Sequence, residues 1–222
     1  MALRRLFLVT AMPLLIPSGM WGTTIDFETI PGGTPIEGLH ISNQFQATHG
    51  VTFSLLGGGS PVLAKVGAPQ TAFQGYELNP DQPAPGTNAG SFFLTDDGVV
   101  AGPPAPLLVD YTAPVSAASG ILLDIDGTEQ WTLTAFDASM ISLATLVLPP
   151  NNVIDGSATF WSFNLGSPVI TRIEFQYTGI VTTAVGLAFD NFSPSSVPEP
   201  GIGILLAAGF GACARRRLRG CR

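Results

Sequence analysis

Acidic side chains stand near both ends of the segment 23–193. Asp26 and Glu28 lie in the opening stretch TIDFETI, and Asp190 lies in the closing stretch GLAFDNFSP, followed by Asn191. Side chains alternate along a strand, so we expect Asp26 and Glu28 to share one face of a first strand. Three carboxylates brought together repel one another unless a cation neutralises them, and Ca²⁺ takes roughly six to eight oxygen ligands, including backbone carbonyls. The pattern predicts a Ca²⁺ site here; plain surface acids are the alternative.

A second acidic pair, Asp124 and Asp126, occurs in the stretch LLDIDG. The two-residue spacing predicts that both side chains share one strand face. Such a pair could hold a cation or serve as the acid and base of a glycosidase. The alternative is a pair of solvent-facing carboxylates beside the Asp126–Gly127 turn.

Other groups with catalytic chemistry are scarce in this segment. The two histidines of the chain, His40 and His49, are expected in a loop before a strand, and both cysteines, Cys213 and Cys221, lie beyond residue 193. No G-x-S-x-G or H-E-x-x-H motif occurs, and the GGGS stretch at 57–60 has no Lys-Ser/Thr after it. We therefore expect no catalytic residues and no enzymatic activity.

Charge is segregated along the 222 residues of the chain. Of 16 acidic residues, 15 lie in the segment 23–193, whereas Lys65 and Arg172 are its only basic residues among nine in the chain. The segment therefore carries a net charge near −13, which repels nucleic acid and anionic lipid. An acidic surface of this kind suits divalent cations, or simply solubility outside the cell.

Short β-rich runs with turn residues between them fill the segment, which is long enough for one domain with its own core. The predicted strands are 24–29, 51–56, 62–66, 91–95, 107–111, 120–126, 131–137, 141–147, 158–164, 169–177 and 185–192. The predicted helix is one or two turns over 42–48, with Ser42 as its cap. This pattern predicts an all-β fold, an antiparallel β-sandwich of jelly-roll type.

Two of these runs carry detailed patterns. In VITRIEFQY, the residues Val169, Thr171, Ile173, Phe175 and Tyr177 are expected to share one face. The stretch WTLTAFDASMISLATLV predicts a hairpin whose turn spans residues 137–140.

The N-terminus has the three parts of a secretory signal peptide. A basic start, MALRR, precedes an apolar run over 6–16 and the helix-breaking stretch PSGMWG. We expect a signal peptide over 1–22, removed on export, and a domain over 23–193.

The C-terminus combines three features in a fixed order. Pro198, Glu199 and Pro200 precede an apolar run of 14 residues over 201–214, which is followed by Arg215, Arg216 and Arg217. A helix of that length reaches about 21 Å at roughly 1.5 Å per residue, less than the bilayer core of about 30 Å. A short membrane helix with cytoplasmic arginines is expected.

This C-terminal pattern resembles the PEP-CTERM sorting signal of exported proteins in exopolysaccharide-making Gram-negative bacteria. The resemblance covers about the last 26 residues, within a linker and tail segment over 194–222. It implies recognition and processing near Pro200 by an exosortase, an inner-membrane cysteine protease. It also implies transient anchoring in the inner membrane, followed by delivery to the cell envelope or extracellular matrix.

The body is loosely similar to calcium-stabilised carbohydrate-binding jelly-roll modules, through Asp26-Phe27-Glu28 and Asp190. With the sorting signal, these features predict an exported, non-enzymatic β-sandwich that has a structural or adhesive role and could bind exopolysaccharide. A lectin-like module, with a row of exposed aromatics on one sheet face, and a carbohydrate-active enzyme are the alternatives. The aromatics available for a glycan face are Phe73, Tyr76, Tyr111, Trp131 and Trp161, although aromatics in a sandwich more often lie in the core.

Overall fold

The computed structural model describes residues 24–67, 83–96, 103–125, 127–151, 156–180 and 185–194. The predicted signal peptide over 1–22 and the sorting signal, with Pro198, Glu199, Pro200, Arg215, Arg216 and Arg217, lie outside these ranges. The domain boundaries therefore stay predictions.

The described chain forms ten strands and one short helix. In chain order the elements are α1 (Gln46–His49), β1 (Val51–Leu55), β2 (Val62–Lys65), β3 (Phe92–Thr95), β4 (Leu107–Val115), β5 (Ala117–Leu123), β6 (Trp131–Phe136), β7 (Ser142–Leu148), β8 (Ala158–Asn164), β9 (Ile170–Tyr177) and β10 (Phe189–Ser193). Ten of the predicted strands correspond to these elements, since β-branched and aromatic runs bounded by turn residues mark them.

The strands form two five-stranded sheets. The first has the order β1-β4-β9-β6-β7, the second has the order β2-β3-β10-β5-β8, and every pairing is antiparallel. The expected all-β, sandwich-like architecture with almost no helix is therefore confirmed. Its assignment to the jelly-roll type stays a prediction.

The inner faces of the two sheets meet in an aromatic core. Trp161 of β8 lies 5.0 Å from the ring of Phe175 on the opposite sheet, and Phe189 of β10 lies 5.1 Å from the same ring. Phe53 and Phe192 extend this cluster, with ring centroids 6.0 Å apart. Buried aromatic pairs of this kind add to the free energy of burial, so the core fixes how the sheets face each other.

The predicted hairpin over 131–147 is confirmed as β6 and β7. The Asp137 carboxylate caps the turn, because its Oδ1 accepts hydrogen bonds from the amides of Ser139 and Ile141, both at 2.8 Å. Met140 adopts a left-handed conformation with φ 59°. An Asp that bonds to amides after it is the usual way to stabilise such a turn.

Two predicted elements were wrong in detail. Residues 24–29 form an isolated bridge at Ile25 rather than a strand, because Phe27 has φ 55° and turns the chain. The helix covers Gln46–His49, its N-terminal cap is Phe45, and no side chain caps it. Ser42 instead offers its carbonyl to the Phe53 amide at 2.8 Å, so it extends the edge beside β1.

The alternation predicted along β9 holds only in part. Ile173, Phe175 and Tyr177 are buried as expected, but Ile170 is also buried. The pairing of β4 with β9 shifts register between Asp110 and Val115, which changes the face that the start of β9 presents. No sequence signal marks that shift.

Candidate cation site at the junction of the chain ends

The first and last described segments pair with each other. The Ile25 amide donates to the Phe192 carbonyl at 2.7 Å, and the Phe192 amide donates to the Ile25 carbonyl at 2.9 Å. The bridge places the Asp26 to Glu28 segment beside β10, which carries Asp190. The two acidic segments singled out in the sequence are therefore neighbours in the fold.

Phe27 positions the two acids that flank it. Its ring is fully buried and contacts the rings of Phe45 and Phe53, with centroids 5.8 and 6.0 Å away. The left-handed backbone at Phe27 lets Asp26 Oδ1 accept a hydrogen bond from the Glu28 amide at 3.1 Å. The expectation that Asp26 and Glu28 share a strand face was wrong, because a turn held by this bond replaces the strand.

The Glu28 carboxylate reaches the start of β3. Its Oε1 accepts hydrogen bonds from the amides of Ser91 and Phe92, at 2.5 and 2.8 Å. Gly90 makes room for it, since a Cβ at that position would overlap the carboxylate. Glu28 thus ties the N-terminal turn to the sheet that contains β10.

Asp190 lies in β10, the central strand of the second sheet, and only 1% of it is exposed. Its Oδ1 accepts a hydrogen bond from the Asn191 amide at 2.7 Å, whereas its buried Oδ2 has no hydrogen-bond partner in the described part of the chain. Asn191 has φ 50° and sits in a register shift of β10 against β5. The side-chain Nδ2 of Asn191 donates to the Asn88 carbonyl at 3.1 Å. This bond connects β10 to the segment that precedes β3.

Burial raises the pKa of the Asp190 carboxyl from 3.8 to about 8. Desolvation is the main cause, and the negative charges of Asp26 and Glu28 raise this pKa further, while the hydrogen bond from the Asn191 amide lowers it. A carboxylate in such a place is costly unless it is protonated or faces a cation. This coupling shows that the three acids share one electrostatic environment.

The donor set suits a hard cation in part. Asp190 Oδ2 is free to bind, and Asp26 and Glu28 each use one carboxylate oxygen in the hydrogen bonds above. Across the described ranges, however, no three His, Cys, Asp or Glu residues form a group that could hold a metal ion. A cation held here would therefore need backbone carbonyls or water beside these side chains, a mixture that Ca²⁺ accepts.

The other candidate catalytic groups have structural contacts. Strand β5 ends at Leu123, so Asp124 lies beyond it with φ 58°, and the expectation of a shared strand face was wrong for this residue. Asp124 Oδ1 accepts a hydrogen bond from the Gly156 amide at 2.8 Å, and Asp126 lies outside the described residues. His49 ends α1 with its ring 5.5 Å from that of Phe45, and burial lowers its pKa.

The aromatics considered for glycan binding do not form an exposed row. Trp131 and Trp161 are buried in the core, and the hydroxyl of Tyr111 is buried as well. Phe73 and Tyr76 lie outside the described residues. Phe160, which no pattern singled out, is instead 66% exposed on β8.

The sequence did not indicate the backbone groups that bind Glu28 and Asn191 where the two ends of the described chain meet. The Asn88 carbonyl and the amides of Ser91 and Phe92 act through the backbone, so their residue types carry no signal.

The sequence analysis also did not predict the ion pair of Arg172 Nε with Asp110 Oδ1 at 2.6 Å, on neighbouring strands β9 and β4. The hydrogen bond with Asp110 raises the pKa of Arg172.

No helix within the described ranges has the length and apolar character needed to cross a membrane. The short membrane helix predicted over 201–214 lies outside those ranges.

Comparisons with known proteins gave weak structural similarities. No family model matches the chain, and no curated protein matches it. The K3 cleaved adhesin domain of Lys-gingipain from Porphyromonas gingivalis is 12% identical with a TM-score of 0.38, over 71% of this chain and 97% of that domain. The family 32 CBM of NanJ from C. perfringens, solved with galactose, is 16% identical with a TM-score of 0.31, over 70% of this chain and 100% of the module.

A DUF4465 family protein from Bacteroides caccae is 12% identical with a TM-score of 0.36, over 82% of this chain and 96% of that protein. These neighbours are adhesin, CBM and DUF4465 structures. Similarity at this level is too low to transfer a function to this chain.

Proposed function

We propose that the chain is a non-enzymatic β-sandwich module with a structural or adhesive role in the cell envelope or extracellular matrix. The main support for the proposal is that several acidic side chains of the domain form hydrogen bonds with its own backbone. Glu28, Asp124 and Asp137 each accept hydrogen bonds from backbone amides, two of them from distant segments. A carboxylate engaged in this way holds loops together, whereas a glycosidase needs two carboxyls facing one substrate.

The same proposal includes a stabilising Ca²⁺ at the junction of the chain ends. Asp190, Glu28 and Asp26 would supply carboxylate oxygens, and the Asn191 side chain would position the neighbouring backbone. A bound Ca²⁺ would supply the positive charge that lets the Asp190 carboxylate stay ionised in its buried position. The unpartnered Asp190 Oδ2 is the support for this part.

We propose that sequence signals at the two ends of the chain direct its export and delivery. A signal peptide over 1–22 directs export, and the PEP-CTERM tail is processed by an exosortase after transient anchoring in the inner membrane. The support is the sequence pattern of Pro198-Glu199-Pro200, the apolar run over 201–214 and the arginines that follow it.

Exopolysaccharide is the proposed partner of the delivered module. The burial of Trp131 and Trp161 disfavours the lectin-like alternative with an aromatic row, so an adhesive contact through polar groups is favoured. The acidic charge of the body disfavours nucleic acid as a partner.

A binding assay on purified exopolysaccharide and a glycan array, with and without Ca²⁺, tests this proposal. We expect retention of the protein on polysaccharide without release of reducing sugar ends. Release of reducing ends that is lost in Asp124→Asn would instead favour the carbohydrate-active enzyme.

A further inference from the structure

Among the described strands, four lie at the edges of the two sheets, and two of these edges are covered. The segment before β1 lies along β1 and β2. The Phe53 amide donates to the Ser42 carbonyl at 2.8 Å, and the Leu63 amide donates to the Leu39 carbonyl at 2.9 Å. These hydrogen bonds occupy backbone amides of β1 and β2 that point away from their neighbouring strands, so the edges formed by β1 and β2 are covered.

The edges on the opposite side are left open. Strand β7 pairs with β6 alone and β8 pairs with β5 alone, and the described residues provide no second backbone partner for either strand. Strand β8 is the more regular of the two, because all its residues from Ala158 to Asn164 pair with β5 without a register shift. An open, regular edge is a template for another strand.

Neither open edge carries the residues that usually prevent strand addition. Proteins protect edges with charged side chains or proline, and β7 and β8 contain neither. Between Asp137 and Arg172, a stretch that includes both strands, the chain has a single charged residue, Asp155. The rest of the body carries the other 14 acidic residues and both basic residues, Lys65 and Arg172. The open side is therefore the neutral part of a strongly acidic domain.

Exposed apolar side chains collect on this side as well. Among the described residues, the large hydrophobic side chains that are exposed are Ile36, Leu56, Met140, Ile141, Val147, Phe160 and Ile180. Four of them belong to β7, β8 or the turn that enters β7. Phe160 is the largest, and it stands in the middle of the outer face of β8 with Ser162 beside it on that face.

We propose that β8 pairs edge to edge with β8 of a second copy of this chain, in antiparallel orientation about a two-fold axis. The pairing joins the two second sheets into one continuous sheet and covers Phe160 of both copies. Two acidic bodies repel each other through most of their surfaces, so the neutral side is where copies can approach. A two-fold axis makes the same strand serve both partners.

The test measures the mass of the full-length chain by sedimentation over a range of concentrations, in a non-ionic detergent that disperses its apolar tail. We expect a monomer–dimer equilibrium that shifts toward dimer as salt screens the acidic bodies. Phe160→Glu and Ser162→Glu, both at exposed positions, should give monomers that melt at the temperature of the wild type at concentrations where it is monomeric. Ile180→Glu, which places the same charge on a side chain that is 81% exposed elsewhere, should leave the dimer intact.

Hydrogen exchange of the β8 amides provides the second measurement. In the dimer the outward amides of β8 should exchange more slowly than in Phe160→Glu, because a partner strand binds them. A wild-type chain that stays monomeric at the highest soluble concentration would overturn the proposal. So would a dimer that persists in both Phe160→Glu and Ser162→Glu.

Discussion

At the scale of the residue, the proposed cation site depends most on Asp190. It is a carboxyl group in the central strand of a sheet, with one oxygen bonded to the Asn191 amide and the other without a partner in the described chain. Sequence reasoning selected Asp26, Glu28, Asp190 and Asn191 because their residue types occur at both ends of the domain. It could not find the left-handed turn at Phe27 or the Asn88 carbonyl, since backbone conformation and long-range backbone contacts leave no mark in residue type.

Without a bound cation, the stability of the domain should fall as the pH rises. The pKa of Asp190 is raised from 3.8 to about 8 in the folded state, so its favourable contribution is complete below about 4 and is lost as the pH rises to about 8. In a chelator, the melting temperature should therefore decrease across this range. Asp190→Asn, which cannot ionise, should flatten the decrease, and an equal slope in wild type and variant would show that another group causes it.

Gly90 should be far less tolerant of substitution than a glycine of similar conformation. Its φ is 55°, and a Cβ there would overlap the Glu28 carboxylate. We expect Gly90→Ala to lower the free energy of unfolding by at least about 2 kcal/mol, because a left-handed backbone and a steric clash add up. Gly127→Ala is the matched control, since Gly127 has φ 52° with open space around it, and it should cost only about 1 kcal/mol. Equal losses in urea unfolding would contradict this account of Glu28.

At the scale of the element, the sequence was enough to predict where most strands lie, but it was not enough to predict the residues at which they begin and end. Alternating β-branched and aromatic residues mark β1, β6 and β8, because a strand buried on one face repeats every two residues. The register shift between Asp110 and Val115, and the one that follows Asp190, depend on pairing with a distant strand. Local patterns contain no information about such pairings.

Gly120 of β5 leaves room for close contacts with β8 and β10, its two neighbours in the second sheet. A Cβ at this position would lie 3.0 Å from the ring of Trp161 and 3.2 Å from the Asp190 carbonyl oxygen. Trp161 is buried against Phe175 and cannot move away freely. Gly120→Ala should therefore cost about 1–3 kcal/mol in thermal or urea unfolding. Ser119→Ala, one residue earlier in the same strand, is the control and should cost much less; a neutral Gly120→Ala would show that the packing is looser than described.

At the scale of the whole molecule, the distribution of charge separates the parts of the chain. The basic residues concentrate in the two termini and the acidic residues in the body. This distribution of charge is the one expected for the exported domain that we propose, with a targeting segment at each end. The structure adds that β7 and β8, which both lie within the neutral stretch between Asp137 and Arg172, are edge strands on the same side of the sandwich.

Processing of the tail is expected in a host that has an exosortase. The resemblance of the tail to a PEP-CTERM sorting signal implies that the mature protein lacks the residues after about Pro200. A 14-residue apolar run that is removed need not serve as a permanent membrane anchor. Intact-mass measurement of the extracellular protein decides this. Glu199→Ala should retain the tail, and a stable wild-type chain that extends to Arg222 would contradict the prediction.

The most direct test of the account is a Ca²⁺ titration of the apo domain by calorimetry, followed by melting with and without the ion. Above the pKa of Asp190, we expect saturable binding and a higher melting temperature, since an ion that binds only the folded state adds about 2.7 kcal/mol at a hundredfold excess over its Kd. Asp190→Asn should abolish both effects. A wild-type protein that neither binds Ca²⁺ nor gains stability from it would contradict the proposed Ca²⁺ site between the two ends of this domain.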